Sequence, residues 1–154
     1  RRKMKFNTIL ALVSVLVFSG LQAAEIERSP SSTGATVGFA NLEDGDMVPT
    51  EFKVVFSISG MGIAPAGVQI DNTGHHHLLI DAAALPDPSK PLPATENIIH
   101  FGKGQTETEL NLSEGQHTLQ LVLADYRHIP HQPPVVSDVI TIKVSQDAPA
   151  QVDN

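Results

Sequence analysis

From Thr36 onward, apolar and polar side chains alternate with a period of two between short turn signals. No stretch of this part carries the three-to-four spacing of an amphipathic helix, so the pattern predicts strands throughout. Thr36 to Asn41 reads as a first strand ending at the Glu43-Asp44-Gly45-Asp46 turn. Glu51 to Ser59 follows, with Phe52, Val54, Phe56 and Ile58 on one face and Gly60 as its stop. His75 to Asp81 and Thr106 to Leu112 are further strands, and Ser113-Glu114-Gly115 turns the chain into Gln116 to Asp125, where Leu119, Leu121 and Leu123 share a face. In the last strand, Ser137 to Ser145, Ile140, Ile142 and Val144 oppose Val139, Thr141 and Lys143. Gly60 to Gly74, the segment 82–98 with Pro86, Pro88, Pro91 and Pro93, and Tyr126 to Pro134 read as loops or edges. Together these elements predict an all-β domain over residues 36–145: an immunoglobulin-like antiparallel β-sandwich of about seven strands, with fibronectin-type and cupredoxin-like architectures as its neighbours.

The start of the chain departs from this pattern. Arg1, Arg2, Lys3 and Lys5 precede an apolar run, Ile9 to Phe18, too short to span a bilayer, and the small residues Ala23-Ala24 follow. This layout predicts a signal peptide over residues 1–24, a linker over 25–35 and a periplasmic or secreted domain. Residues 146–154 read as a disordered tail. Without the leader, which holds four of the ten basic residues and no acidic one, net charge moves from −7 to −11, which argues against nucleic acid as a partner. No cysteine follows the apolar run, so no lipid anchor is expected on the exported protein. With no cysteine anywhere, the domain is held by its hydrophobic core, without disulfides.

Seven histidines lie on this framework, three of them consecutive: His75, His76 and His77. In a sandwich of the expected order, the strand they open lies antiparallel to Gln116–Asp125, and its start meets the end of that partner. His75, His76 and His77 would then gather with Asp125, His128 and His131 at one pole, with His100 approaching from the adjoining loop. His117 belongs to the other pole and reads as structural. Because side chains alternate along a strand, His75 and His77 share a face with Leu79, whereas His76 sits with Leu78 and Ile80.

A His-x-His pair on a strand presents two imidazoles on one side, a geometry suited to zinc or copper. The best candidate ligands are His75, His77, His128 and His131. His100, Asp125 and the thioether of Met61 form a second tier, and Met47 is a poorer donor. Each has a plainer reading: His76 as a core residue bonded to main chain, Asp125 as a turn cap, His131 as an exposed loop residue and Met61 as a loop plug.

The strings Gly60 to Gly67, Gly74 to Asp81, His100 to Glu107 and His117 to Leu121, with Asp125, His128, Pro130 and His131, resemble a bacterial family catalogued as domain of unknown function 4399. The resemblance implies an exported protein of one small β domain, and it supplies no catalytic residue.

These features support a periplasmic copper- or zinc-binding carrier, buffer or chaperone, whose affinity falls below about pH 6 as imidazoles protonate. The alternative is an Ig-like interaction module for an envelope protein or glycan, its histidines structural or pH-sensing; a scarcity of aromatic residues argues against glycan. An enzyme ranks third. An open zinc site is conceivable, with Glu107 as the nearest candidate base, but no nucleophile motif or phosphate loop is present.

Overall fold

The computed structural model describes residues 26–151; the expected leader and residues 152–154 of the expected tail lie outside the described residues. Ten strands and no helix occur among the described residues. In chain order they are β1 (Thr36–Phe39), β2 (Met47–Val48), β3 (Glu51–Ser59), β4 (Gly62–Ile63), β5 (Thr73–Ile80), β6 (Ile98–His100), β7 (Glu107–Asn111), β8 (Gly115–Ala124), β9 (Pro130–Val136) and β10 (Ile140–Val144). The order β1-β3-β7 makes one antiparallel sheet. A second, seven-stranded sheet runs β2-β10-β8-β5-β4, with β6 on β5 and β9 on β8.

The expected strands are all present. Between them the structure adds β2, β4, β6 and β9, each at an edge of the larger sheet. β2 pairs parallel with β10 and β4 parallel with β5, so the sandwich carries two short parallel contacts beside its antiparallel frame. β9 forms where the sequence reads as loop, despite Pro130, Pro133 and Pro134. It is tolerated because it lies on the rim and pairs with β8 only through Val135, Val136 and Pro130.

The core lies between the sheets. Phe52, Val54, Phe56 and Leu110 come from the smaller sheet and meet Leu78, Ile80, Leu119, Leu121, Leu123 and Ile142 from the larger. Each is a β-branched, aromatic or leucine side chain at alternate strand positions, so one face of each strand is apolar. A second apolar cluster, Leu79, Leu92, Ile98, Val122 and Ala124, covers the outer face of the larger sheet. It arises because the proline-bearing loop folds back and seats Leu92 there, fixed by a 2.8 Å hydrogen bond from Leu92 N–H to the His128 carbonyl. β5 is thus buried on both faces from Gly74 to Ile80.

β5 runs antiparallel to β8, in register from Ile80 opposite Leu119 to His75 opposite Ala124. The start of β5 therefore meets the end of β8, as the strand order predicts. The N-terminal segment closes this pole: Ser29 and Ser31 donate side-chain hydrogen bonds to Asp125 and to the Pro133 carbonyl, and Arg28 bonds the carbonyls of Pro130 and His131. At the other end, Gln151 caps β3 through both the N–H and the carbonyl of Lys53.

His117 lies at the far pole, with Nδ1 2.7 Å from an Asp81 carboxylate oxygen and Nε2 2.9 Å from the Ser113 carbonyl. Burial would lower its pKa, but both partners are acceptors that favour the doubly protonated ring, and they raise it above the ordinary histidine value. The stabilisation is therefore fully present below about pH 6.5 and is lost as pH rises through the folded-state value. Asp81→Asn removes the charge, keeps an oxygen for Thr118 N–H and suits the left-handed backbone at this position, φ 52°. Because the Asp81 side chain is 43% exposed, urea denaturation should show a loss of only roughly 0.5 kcal/mol near pH 5.5, shrinking toward pH 9. An equal loss at both pH values would refute the ion pair.

Candidate metal centre

Pleating directs His75 and His77 to the outer face of the larger sheet, with Leu79, and directs His76 inward. β6 lies on the other edge of β5 with His100 opposite His77. The loop after β8 brings His128 over the same spot. The four rings pack together: His75 is 4.8 Å from His77, 5.0 Å from His100 and 5.0 Å from His128 between centroids, and His100 is 4.7 Å from His128. One ring nitrogen from each of His75, His100 and His128 lies within 4.8 Å of the others. His77 stands beside this triad, 5.1 Å from His100 and 5.9 Å from His128 between centroids.

The Nε2 atoms of His100 and His128 are 3.1 Å apart. Two nitrogens bound at 2.0–2.1 Å to one tetrahedral ion sit about 3.3 Å from each other, so this separation is within a few tenths of an ångström of a chelating bite. His75 is fully buried, His128 half-buried and His100 exposed, so the triad opens to solvent on the His100 side.

Both ring nitrogens of His75 and Nδ1 of His77 are buried without a protein partner. Buried imidazoles ordinarily bond main chain or carboxylate, and an unsatisfied polar atom of this kind costs about 1–3 kcal/mol. Burial, then the neighbouring rings of His100 and His128, lowers the His75 pKa to about 4, against a smaller opposing pull from Asp125. Burial followed by His75, His100 and His128 lowers His77 to about 3. His100 is lowered too, by burial and then by His128. At neutral pH these rings are uncharged, with lone pairs free for a cation.

The other residues expected near this site are placed differently. His131 is buried with Nε2 3.1 Å from the Thr73 carbonyl and Nδ1 3.4 Å from that of Leu123, so both nitrogens face acceptors and the ring braces β5 against β8. Gly74 makes room for it: a Cβ there would lie 2.8 Å from the His131 ring and 2.6 Å from the Ala124 carbonyl oxygen. Met61 packs against the main core, and His76 packs on Phe56 with ring centroids 4.9 Å apart. A cavity of about 320 Å³ is lined by His131, Asp125, Tyr126, Thr73 and the loop from Ala64 to Asn72, and the triad does not line it. Glu107 pairs with Lys53 on the smaller sheet, at 3.1 Å.

Asp125 orders the loop that carries His128. One carboxylate oxygen accepts from the N–H groups of Arg127 and Ile129 at 2.8 and 3.1 Å, and the other from Ser29 and the Arg127 guanidinium at 2.7 and 3.0 Å. Burial would raise its pKa, but these donors outweigh that and hold the carboxyl below its ordinary value. The clamp sustains a left-handed backbone at His128, φ 68°, which a non-glycine residue adopts only when its surroundings enforce it.

Gly102, which carries no local signature in the sequence, sets the position of His100. A Cβ at residue 102 would lie 2.2 Å from Cε1 and 2.5 Å from Nε2 of that ring. Its φ is not in the left-handed region, so steric room for His100 is the requirement at this position.

The profile of a family described as domain of unknown function (DUF4399) matches residues 54–145, a span that holds every residue of the histidine cluster. The chain belongs to this family. No curated protein and no solved structure matches it. Within this DUF4399 chain, the three-nitrogen cluster is the feature that offers chemistry, and its donor set fits a transition-metal ion.

Two variants separate the supports of this site. Gly102→Ala should eject the flexible, exposed His100 ring, read by NMR as loss of ring contacts to His128, while the urea midpoint stays near that of the parent. Retained contacts would show that the ring has room elsewhere. Asp125→Ala leaves the Arg127 and Ile129 N–H groups without their acceptor and frees His128 from its left-handed conformation; it should cost about 2–4 kcal/mol of unfolding free energy. A loss below about 1 kcal/mol would show that the loop is ordered by other means.

Proposed function

We propose that this protein is an exported metal-binding protein, a periplasmic or secreted carrier, buffer or chaperone for copper or zinc, with His75, His100 and His128 as ligands. The observation that carries the reading is the buried and unpartnered ring nitrogens of His75, set within reach of two further imidazoles. His131 and His117, by contrast, have protein partners at both nitrogens, and His76, whose nitrogens are also unpartnered, packs on Phe56 on the other face of the strand. A metal ion supplies a partner for one of the His75 nitrogens, and borderline ions such as Zn(II) and Cu(II) favour imidazole donors. The basic-then-apolar segment at the start of the chain supports export, and net acidity attracts cations.

The donor set is already gathered, with His75 buried and the opening to solvent on the His100 side. His75, lowered to about 4 by burial and then by the rings of His100 and His128, need not lose a proton to receive an ion at neutral pH. When bound, the ion would provide the site's charge. The chain's own residues position it: Asp125 through the loop, Gly102 through His100, and the β5–β8 register through His75.

Titration of the tag-free protein with Zn(II) and Cu(II) should show one tight equivalent. Removing any one of His75, His100 or His128 as alanine should weaken it by about tenfold or more, whereas Met61→Leu should leave it unchanged. Saturation at one hundred times Kd should add about 2.7 kcal/mol to the unfolding free energy. Absence of a tight equivalent, or loss equally caused by Met61→Leu, would sink the assignment.

A further inference from the structure

Three neutral nitrogens leave a first-row ion both undercoordinated and fully charged. Zinc takes four ligands, and a site with three protein donors keeps its fourth position for a molecule from solvent. Two groups of this chain lie near enough to compete for that position, and the geometry disfavours both. His77 stands outside the set whose nitrogens are mutually within 4.8 Å, and its ring is the farthest of the four from His128, at 5.9 Å. Asp125, the carboxylate that acts on His75, has both oxygens engaged by Ser29, Arg127 and Ile129. The triad's solvent side is formed by exposed His100 and half-buried His128.

On this basis we infer that the loaded centre keeps an exchangeable coordination position at its His100 side, and that a small anion from solvent, of the class of hydroxide, halide or azide, fills it. The inference rests on the metal-site reading above. It follows from charge as well as from geometry: no anionic side chain belongs to the triad, so a divalent ion there keeps its full double charge in a partly desolvated setting. An anionic ligand is favoured over a neutral one under those conditions. The binding step is a substitution in which the anion enters as bound water leaves, with no change of oxidation state.

The test uses the full chain, loaded with one equivalent of Cu(II) and titrated with sodium azide. Expected are a saturable azide-to-copper charge-transfer absorption and a shifted electron paramagnetic resonance spectrum that still shows three coupled imidazole nitrogens. His77→Leu, an apolar replacement suited to a buried position beside Leu79, should bind copper and azide with unchanged half-saturation. A copper-loaded protein whose spectra ignore azide would overturn the inference. So would azide binding that removes one of the three nitrogen couplings, or a response that appears only in His77→Leu, since that would make His77 the fourth ligand. Failure to load copper at all would instead bring down the metal-site reading itself.

Discussion

The arrangement depends on β5 being buried on both faces. A strand at the surface of a sandwich hides alternate residues, but β5 pairs with β8 on one edge, with β4 and β6 on the other, and is roofed by the loop carrying Leu92. Every side chain from His75 to Ile80 is therefore removed from water. Three consecutive histidines in such a strand are divided by the pleat into two environments. Two rings enter the space beneath the roof, and the third enters the core between the sheets. Register fixes the rest: a shift of one residue against β8 would send His76 outward and put His75 and His77 against Phe56.

That burial has an energetic consequence which distinguishes the histidines from one another. His131 and His117 have protein acceptors at both nitrogens and act as braces. His75 and His76 have none, and His77 lacks one at Nδ1. At about 1–3 kcal/mol each, these unsatisfied nitrogens weigh against a net stability that for small domains is about 5–15 kcal/mol. An ion at the triad would relieve one of the two His75 nitrogens. It would not relieve His76, whose ring packs on Phe56 on the other side of the strand and whose pKa is lowered by burial.

The strand pattern was legible because Phe52–Ile58, Leu119–Leu123 and Ile140–Val144 each alternate cleanly, and the pairing of β5 with β8 followed from strand order alone. That pairing and pleating placed His75, His77, His128 and His131 at one pole with His100 and Asp125 nearby. Of these the structure packs the rings of His75, His77, His100 and His128 together. Edge strands were not legible: β4 and β6 are two and three residues long, and β9 contains prolines that argue against a strand until its rim position is known. Sequence spacing ranked His131 with His128, three residues apart on one loop. The structure turns them to different sides, because the left-handed residue at His128 reverses the chain between them and Gly74 opens a niche for the His131 ring. Gly102 was invisible for a related reason. A glycine needed for the room it leaves to another residue's side chain carries no local signature, whereas one needed for its own φ announces a turn.

Three independent constraints meet at the triangle of His75, His100 and His128. One is a buried ring without partners, another an unfavourable backbone conformation sustained by a fully engaged carboxylate, and the third a glycine whose missing Cβ is the space an imidazole occupies. Each alone has a packing explanation. Packing does not explain their coincidence, because a core that needed only to be filled would place leucine at 75 and leave 100 and 128 to the loops. The features share a single outcome: ring nitrogens from three separate elements directed at one small volume on the solvent side of a buried strand. Such an outcome fits a site built to hold something small, electron-deficient and exchangeable.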